Sequence, residues 1–335
     1  MIKKLTSLVL VGLVALGIIA GGQKFNDSVA QNAPQPAALN VNASLTKAGL
    51  KLQELGSGVY GLISSVDFPP ASSDLAIANG GIVIGSDSVL IIDPFQNPNL
   101  GSLMFATAKT LTEKPIKYVL NTHFHNDHTG GNGAARALGI PIVGRGTIRE
   151  FMLSRKGANA QDSNPIPPDL IVNSETSLWL GDRQVKIERA EGHSGGTDLI
   201  AYVPDAKVLF TGDIGFNQRI PFVGDGDIRA WQGTLYRLIA TYPEAKIVPG
   251  HGEVGDRSSL QELQSYFNDL EKLALSWKAK ALSKDQAIAQ SSKIPDAYKD
   301  YKFKLLYSSE VPNLPNNLTT AYDQFTRSTT IPLIP

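Results

Sequence analysis

V-L-N-T-H-F-H-N-D-H-T-G-G-N-G, residues 119–133, holds three of the chain's five histidines within six positions, with an aspartate between them. The apolar run I-K-Y-V-L-N-T (116–122) leads straight into it and reads as a buried strand. The cluster therefore stands in a loop at a strand end, where a rigid scaffold can bring side chains together. Crowding protonatable rings with no shared partner costs stability, so H-x-H-x-D-H points to a metal.

The other two histidines follow strands in the same way. His193 lies in A-E-G-H-S-G-G-T-D (190–198), after an expected strand at 184–190, and His251 in V-P-G-H-G (248–252), after a strand ending near Pro249. L-F-T-G-D (209–213) adds Asp213 just past a strand expected at 207–211. Imidazole nitrogen and carboxylate oxygen are good zinc donors, and iron and manganese accept the same set. His123 and His125 can point the same way from an extended segment, while Asp127 and His128, after a turn, face a neighbouring position. One ion can take His123, His125 and His193; a second can take Asp127, His128 and His251, with Asp213 bridging the two.

Composition narrows the chemistry further. The 335 residues are 42% apolar and 19% charged, ordinary globular values, and 31 basic residues balance 31 acidic ones. Such a balance argues against nucleic-acid binding and electrostatic membrane binding. There is no cysteine, which excludes disulfides, thiolate ligands and a thiol nucleophile. If all five histidines are ligands, none is left to serve a serine nucleophile as base.

Lys3 and Lys4 precede an apolar run from Leu8 to Ala20, with Ser28 and Ala30 as a cleavage site. Residues 1–30 thus read as a signal peptide, with an uncleaved amino-terminal anchor as the competing reading that the shortness of the apolar run disfavours; the expectation is a periplasmic or secreted protein with no membrane association after cleavage. Residues 31–54, opening Q-N-A-P-Q-P-A-A, read as a linker. Strands are expected at 58–63, 80–85, 89–94, 140–144, 176–180, 198–203 and 245–250, and helices at 99–112, 133–138, 227–240 and 258–280. Residues 155–170 read as an irregular excursion.

H-F-H-N-D-H, E-G-H-S, F-T-G-D and P-G-H-G, in this order, resemble the metallo-β-lactamase superfamily over roughly residues 55–255. The resemblance implies an α+β, four-layer αββα sandwich over residues 55–256, with residues 257–335 as a helical extension packed on the same domain. It implies a binuclear zinc site on His123, His125, Asp127, His128, His193, Asp213 and His251, the assignment already reached from the residues. The run 211–231, T-G-D-I-G-F-N-Q-R-I-P-F-V-G-D-G-D-I-R-A-W, looks like the exported zinc metallohydrolase branch associated with quinoprotein relay and sulfur-oxidation systems. Well-known zinc β-lactamases carry a cysteine where this chain has Asp213; the aspartate is similar to glyoxalase II and lactonase members.

The expected activity is a metal-activated water attacking a small-molecule acyl substrate: an ester, lactone, thioester or amide, β-lactams included. Asp127 would orient that nucleophile and relay a proton. Asp93, with a turn-capping role as its alternative, and Thr122 or Thr211 are the candidates to hold ligand rings; Asn217 and Arg219 are candidates to contact substrate, with a solvated loop as the favoured reading. Loops 64–76, 155–170 and 214–227 are expected to set specificity. Trp179, Trp231 and Trp277 are expected to serve packing. The competing readings are a mononuclear iron persulfide dioxygenase and an exported metal-binding accessory protein of a relay system. Flavodiiron relatives carry glutamate at the position of His125, which sets that redox class aside. Oligomeric state is not encoded in these motifs.

Overall fold

The computed structural model describes residues 40–154, 164–308 and 314–326. The expected signal peptide and residues 31–39 of the expected linker lie outside them. Residues 41–54 correct the linker expectation. Asn40 caps α1 (Val41–Lys47) by accepting from the Ala43 amide at 3.2 Å, and Val41 and Leu45 are buried. After Gly49 the chain enters β1 (Leu50–Gly56), which pairs antiparallel with β2 (Val59–Ser64). A cap and two apolar residues on one face suffice to seat a short helix on a neighbouring core.

β3 (Gly80–Ile84), β4 (Val89–Ile92), β5 (Ile116–Leu120), β6 (Ile142–Gly144) and β7 (Leu170–Ile171) complete a seven-stranded sheet in chain order. β3 and β4 form the expected hairpin; β4, β5, β6 and β7 run parallel. A second sheet has the order β12-β11-β10-β9-β8, with β8 at Thr176–Leu180, β9 at Arg183–Arg189, β10 at Leu199–Val203, β11 at Val208–Phe216 and β12 at Lys246–His251.

Alternation along the strands divides the core into layers. Leu90, Ile92 and Leu120 of the first sheet meet Ile187, Leu199, Ala201 and Phe210 of the second. The opposite neighbours Val89, Ile91 and Val119 pack outward under Leu100, Met104 and Phe105 of α2 (Pro98–Leu111) and Ala134 and Ala135 of α4 (Asn132–Ala137). On the far side, Ile200, Leu209 and Ile247 pack under α6 (Ile228–Thr241) and α7 (Arg257–Ala279). The result is the four-layer α/β/β/α arrangement. The central strands β3, β4, β10 and β11 are covered on both faces and read as near-continuous buried runs, whereas β1, β8 and β9 include exposed positions.

α8 (Lys284–Ser291), α9 (Asn317–Thr326) and the short turns at Asp296–Tyr298 and Lys304–Leu306 follow α7. Trp277, Ala287, Phe303, Leu306, Leu318 and Phe325 share one apolar cluster with α6 and the second sheet. α3 (Asn126–Thr129) and α5 (Ile148–Ser154) complete the helices among the described residues. No described helix is long and apolar enough to cross a membrane.

Candidate metal centre

The ends of β5, β9, β11 and β12 meet at one edge of the sandwich, and every residue expected as a ligand is there. His123 and His125 extend from the end of β5, while Asp127 and His128 lie on the helical turn α3. His193 follows β9, and His251 is the last residue of β12. Asp213 corrects the expectation: it lies inside β11, which runs on to Phe216 through two register shifts against β12. Those irregularities carry the pairing past the point where the apolar run V-L-F ends.

The donor atoms form two groups, each within 4.8 Å of its own members: His123, His125, His193 and Asp213, and Asp127, His128 and His251. Asp213 faces both. Its Oδ2 is 3.3 Å from His193 Nε2 and 3.7 Å from His123 Nε2. Its Oδ1 is 3.0 Å from His128 Nε2 and 3.3 Å from His251 Nε2. Asp127 Oδ2 closes the second group at 3.3 Å from His251 Nε2 and 3.6 Å from His128 Nε2.

Hydrogen bonds on the outer side of the rings decide which nitrogen faces inward. Thr122 Oγ1 donates its single proton to Asp93 Oδ2 at 2.7 Å, so at 3.0 Å it accepts from His123 Nδ1. His128 Nδ1 donates to Asp93 Oδ2 at 2.8 Å, and His251 Nδ1 to the Ile77 carbonyl at 2.9 Å. His125 is turned the other way: Nε2 donates to Asp225 Oδ2 at 3.1 Å, leaving Nδ1 to face His193 Nε2 at 3.1 Å. Four rings are thereby held with one lone pair turned to the centre, the tautomer a metal needs.

The inward atoms fit metal ions. His123 Nε2, His128 Nε2 and Asp213 Oδ1 are buried and make no hydrogen bond among the described residues, although His128 Nε2 and Asp213 Oδ1 are close. Buried polar atoms rarely go without a partner. Their lone pairs converge instead of pairing, and the all-imidazole and carboxylate set suits zinc.

Electrostatics in the metal-free centre follow from this crowding. Burial alone would raise the Asp213 carboxyl, but His251, His128, His123 and His193 hold it well below the usual range. Asp127 is lowered to about 2 because His128 and His251 outweigh burial. His123 is pushed well down by burial and by His128. Burial would lower His128 and His251 too, yet Asp213 and Asp127 raise both, His251 to about 9. Metal uptake must therefore expel protons. A raised imidazole stabilises the fold fully below its unfolded value, about 6.5, and loses that contribution as pH climbs through about 9. Thermal melts of chelator-treated protein should fall in melting temperature over that window. Zinc-loaded protein, with the lone pair engaged, should not show this fall, and a flat metal-free profile would contradict it.

Several supporting residues had no separate signal in the sequence. Asp225 sits within the run 211–231 but carries no mark of its own. Asp198 receives the amides of His193 (3.2 Å) and Ser194 (2.9 Å), fixing the loop after β9. Trp231 packs as expected, but on the site itself: its ring centroid is 4.9 Å from that of His193, and its Nε1 donates to the Ile214 carbonyl. Gly192, at φ 126°, passes directly against the Trp231 backbone, which a Cβ would overlap. Gly192→Ala should cost roughly 2–3 kcal/mol and loosen metal at the His193 side. Unfolding midpoints and metal titration check it.

Of the second-tier expectations, Asp93 and Thr122 hold ligand rings as described. Thr211 instead donates to the carbonyls of Gly212 and Val248. Asn217 donates to the Glu253 carbonyl and Arg219 to that of Gln218, and neither lines the cavity over the metal donors. Backbone carbonyls, some adjacent and some on the neighbouring segment 248–253, accept from these polar groups. The cavity, about 630 Å³, is lined by Phe68, Pro70 and Ser73 of loop 64–76 and by Phe216, Phe222 and Asp225 of loop 214–227. Residues 155–163 of the third expected loop lie outside the described residues, and none of 164–170 reaches the cavity. The extension does reach it, through Phe303, Leu306, Leu314 and Pro315.

Comparison with known proteins places this geometry. The family model described as "Metallo-beta-lactamase superfamily" matches residues 74–251, more than half of the chain and all seven donors. A "Metallo-beta-lactamase type 2" of Pseudomonas aeruginosa is 27% identical over 65% of this chain and 86% of its own length. A "Hydroxyacylglutathione hydrolase" of Rhodobacter capsulatus is 30% identical over 50% of this chain and 58% of its own. The solved metallo-beta-lactamase from Pontibacter korlensis superposes with a TM-score of 0.56 at 25% identity, covering 65% of this chain and 99% of that one. Sandwich, donor order and family match agree, and the chain belongs to the metallo-beta-lactamase superfamily of hydrolases.

Proposed function

We propose that this protein is a binuclear zinc hydrolase that cleaves an acyl bond (an ester, lactone, thioester or amide) in a small molecule. The observation carrying this reading is Asp213: each of its oxygens faces a separate, complete set of donors. When bound, two zinc ions would lower the pKa of a water molecule and polarise the carbonyl it attacks. The chain's own residues then set the geometry. His123, His125 and His193 would hold one ion and Asp127, His128 and His251 the other, with Asp213 fixing their separation. Asp127 lines the cavity with its side chain 20% exposed. Its carboxylate would orient the nucleophile by accepting a hydrogen bond.

The relatives named above frame the substrate question. β-Lactam hydrolysis is supported by the type 2 metallo-beta-lactamase likeness, whereas a thioester is supported by the hydroxyacylglutathione hydrolase likeness. Export is part of the same proposal, resting on the composition of residues 1–30, and is checked by amino-terminal sequencing of the mature protein. The deciding experiment is elemental analysis of purified protein coupled to an acyl-substrate panel with chelation and zinc restoration. Two zinc ions per chain with chelator-reversible hydrolysis are expected. A single iron, or full activity after chelation, would overturn the reading.

A further inference from the structure

The cavity over the metal donors carries a charge pattern that narrows its substrate. His125, Asp127, Asp213 and His251 form its floor, so whatever fills it lies against the reacting centre. Its walls are mostly phenylalanine, leucine, isoleucine and proline, with Ser73, Gln96 and Asn126 as neutral polar members, and the lining contains no lysine or arginine. The side-chain amides of Gln96 and Asn126 donate to the carbonyls of Leu75 and Gln96 and so do not form a cradle. The charged side chain on the wall is Asp225, 31% exposed and 3.1 Å from His125 Nε2. Arg219, the guanidinium in loop 214–227, lies instead 5.9 Å from the Phe303 ring centroid, outside the lining. Recognition of a substrate carboxylate calls for a fixed cation or an amide cradle. These walls offer apolar burial and a negative charge.

We infer that the cavity takes an uncharged acyl substrate bearing a medium-length hydrocarbon chain, seated between Phe222 and the Leu314 segment of the extension, and discriminates against substrates with a carboxylate beside the chain. The inference rests on the hydrolase reading for the reaction and on the cavity alone for the chain. It assigns to the carboxy-terminal extension a part in binding. Phe222 and Leu314 are both only partly buried, so each can be changed without opening the core.

The test uses zinc-loaded full-length protein and p-nitrophenyl esters from acetate to octanoate, beside chain-matched esters ending in carboxylate, a carboxylate-bearing β-lactam and a glutathione thioester. Burial of each added methylene should raise kcat/KM about fourfold, until the cavity is filled. A terminal carboxylate should lower it at least about tenfold against the methyl-ended chain. Leu314→Lys should invert that ratio, gaining on the carboxylate-ended ester while losing on octanoate, and Phe222→Ala should flatten the chain-length series. Calorimetric binding of 1-octanol to wild type and to Leu314→Lys separates this inference from the hydrolase reading. Octanol binding weakened by Leu314→Lys, with no ester, thioester or β-lactam of the panel hydrolysed, would sink the hydrolase reading and leave the cavity assignment standing. Hydrolysis indifferent to chain length, or faster with the carboxylate-ended ester, overturns the inference while the hydrolase reading survives.

Discussion

Replacing Asp213 with alanine should lower hydrolysis by roughly 10³-fold or more and leave at most one metal ion per chain. The size follows from its position. Oδ2 faces the His123, His125 and His193 set, while Oδ1 faces the His128 and His251 side, so one deletion removes a donor from both. A bound ion contributes several kcal/mol of transition-state stabilisation, and each 1.36 kcal/mol is tenfold in rate. The loss also reaches the metal-free fold, because the charge that raises His128 and His251 disappears and leaves two buried rings disfavouring protonation. Asp213→Cys separates bridging from ligation: one sulfur offers a single donor atom, so one ion should be retained more firmly than the other. Elemental analysis and steady-state kinetics read both variants. Two tightly held ions in Asp213→Ala would contradict the bridging assignment.

The second large effect belongs to a residue that touches no metal. Asp93 is 2% exposed, accepts from the Thr122 amide at 2.8 Å and from Thr122 Oγ1, and receives His128 Nδ1. Through Thr122 it also governs His123, so one carboxylate orients a ring in each set of donors. Asp93→Asn should reduce metal affinity and activity by about 10- to 100-fold, as for other partners of ligating histidines. Asparagine tolerates the left-handed backbone at this position, φ 52°, so the variant tests hydrogen bonding without strain. Asp93→Ala should in addition destabilise the protein by roughly 3 kcal/mol or more, since it leaves buried donors unpaired. Competition against a zinc indicator and urea unfolding measure the two effects. Unchanged zinc affinity in Asp93→Asn would reduce Asp93 to a loop brace.

How much of this was legible beforehand depends on range. β5 and the turn after it read directly, because the apolar run ends at V-L and two polar residues, N-T, lead straight into H-F-H. The carboxy-terminal helix α7 read within a residue or two, from its apolar spacing. α1 did not, because a seven-residue helix has too few turns for periodicity, and only docking on the neighbouring core makes Val41 and Leu45 informative. Asp213 read as a ligand but was placed beyond its strand, since β11 continues through T-G-D-I-G-F by irregular pairing with β12. Asn217 and Arg219 lie outside the cavity lining, and Thr211 is taken by the carbonyls of Gly212 and Val248, which no local pattern records.

Taken alone, the sequence determined the chemistry: five histidines and two aspartates in short motifs after apolar runs, no cysteine, and thus an imidazole and carboxylate centre, which the family resemblance set in an α+β sandwich. Ligand identity is local, written in residue types and spacing that survive any detail of packing. Tertiary structure alone decided which nitrogen of each ring faces inward, because Asp225, Ile77 and Asp93 reach their histidines from other parts of the chain. It alone brought Leu314 of the extension to the same cavity as Phe222, about ninety residues earlier. Orientation and cavity shape depend on contacts between segments remote in sequence, and no local pattern records which of them will meet.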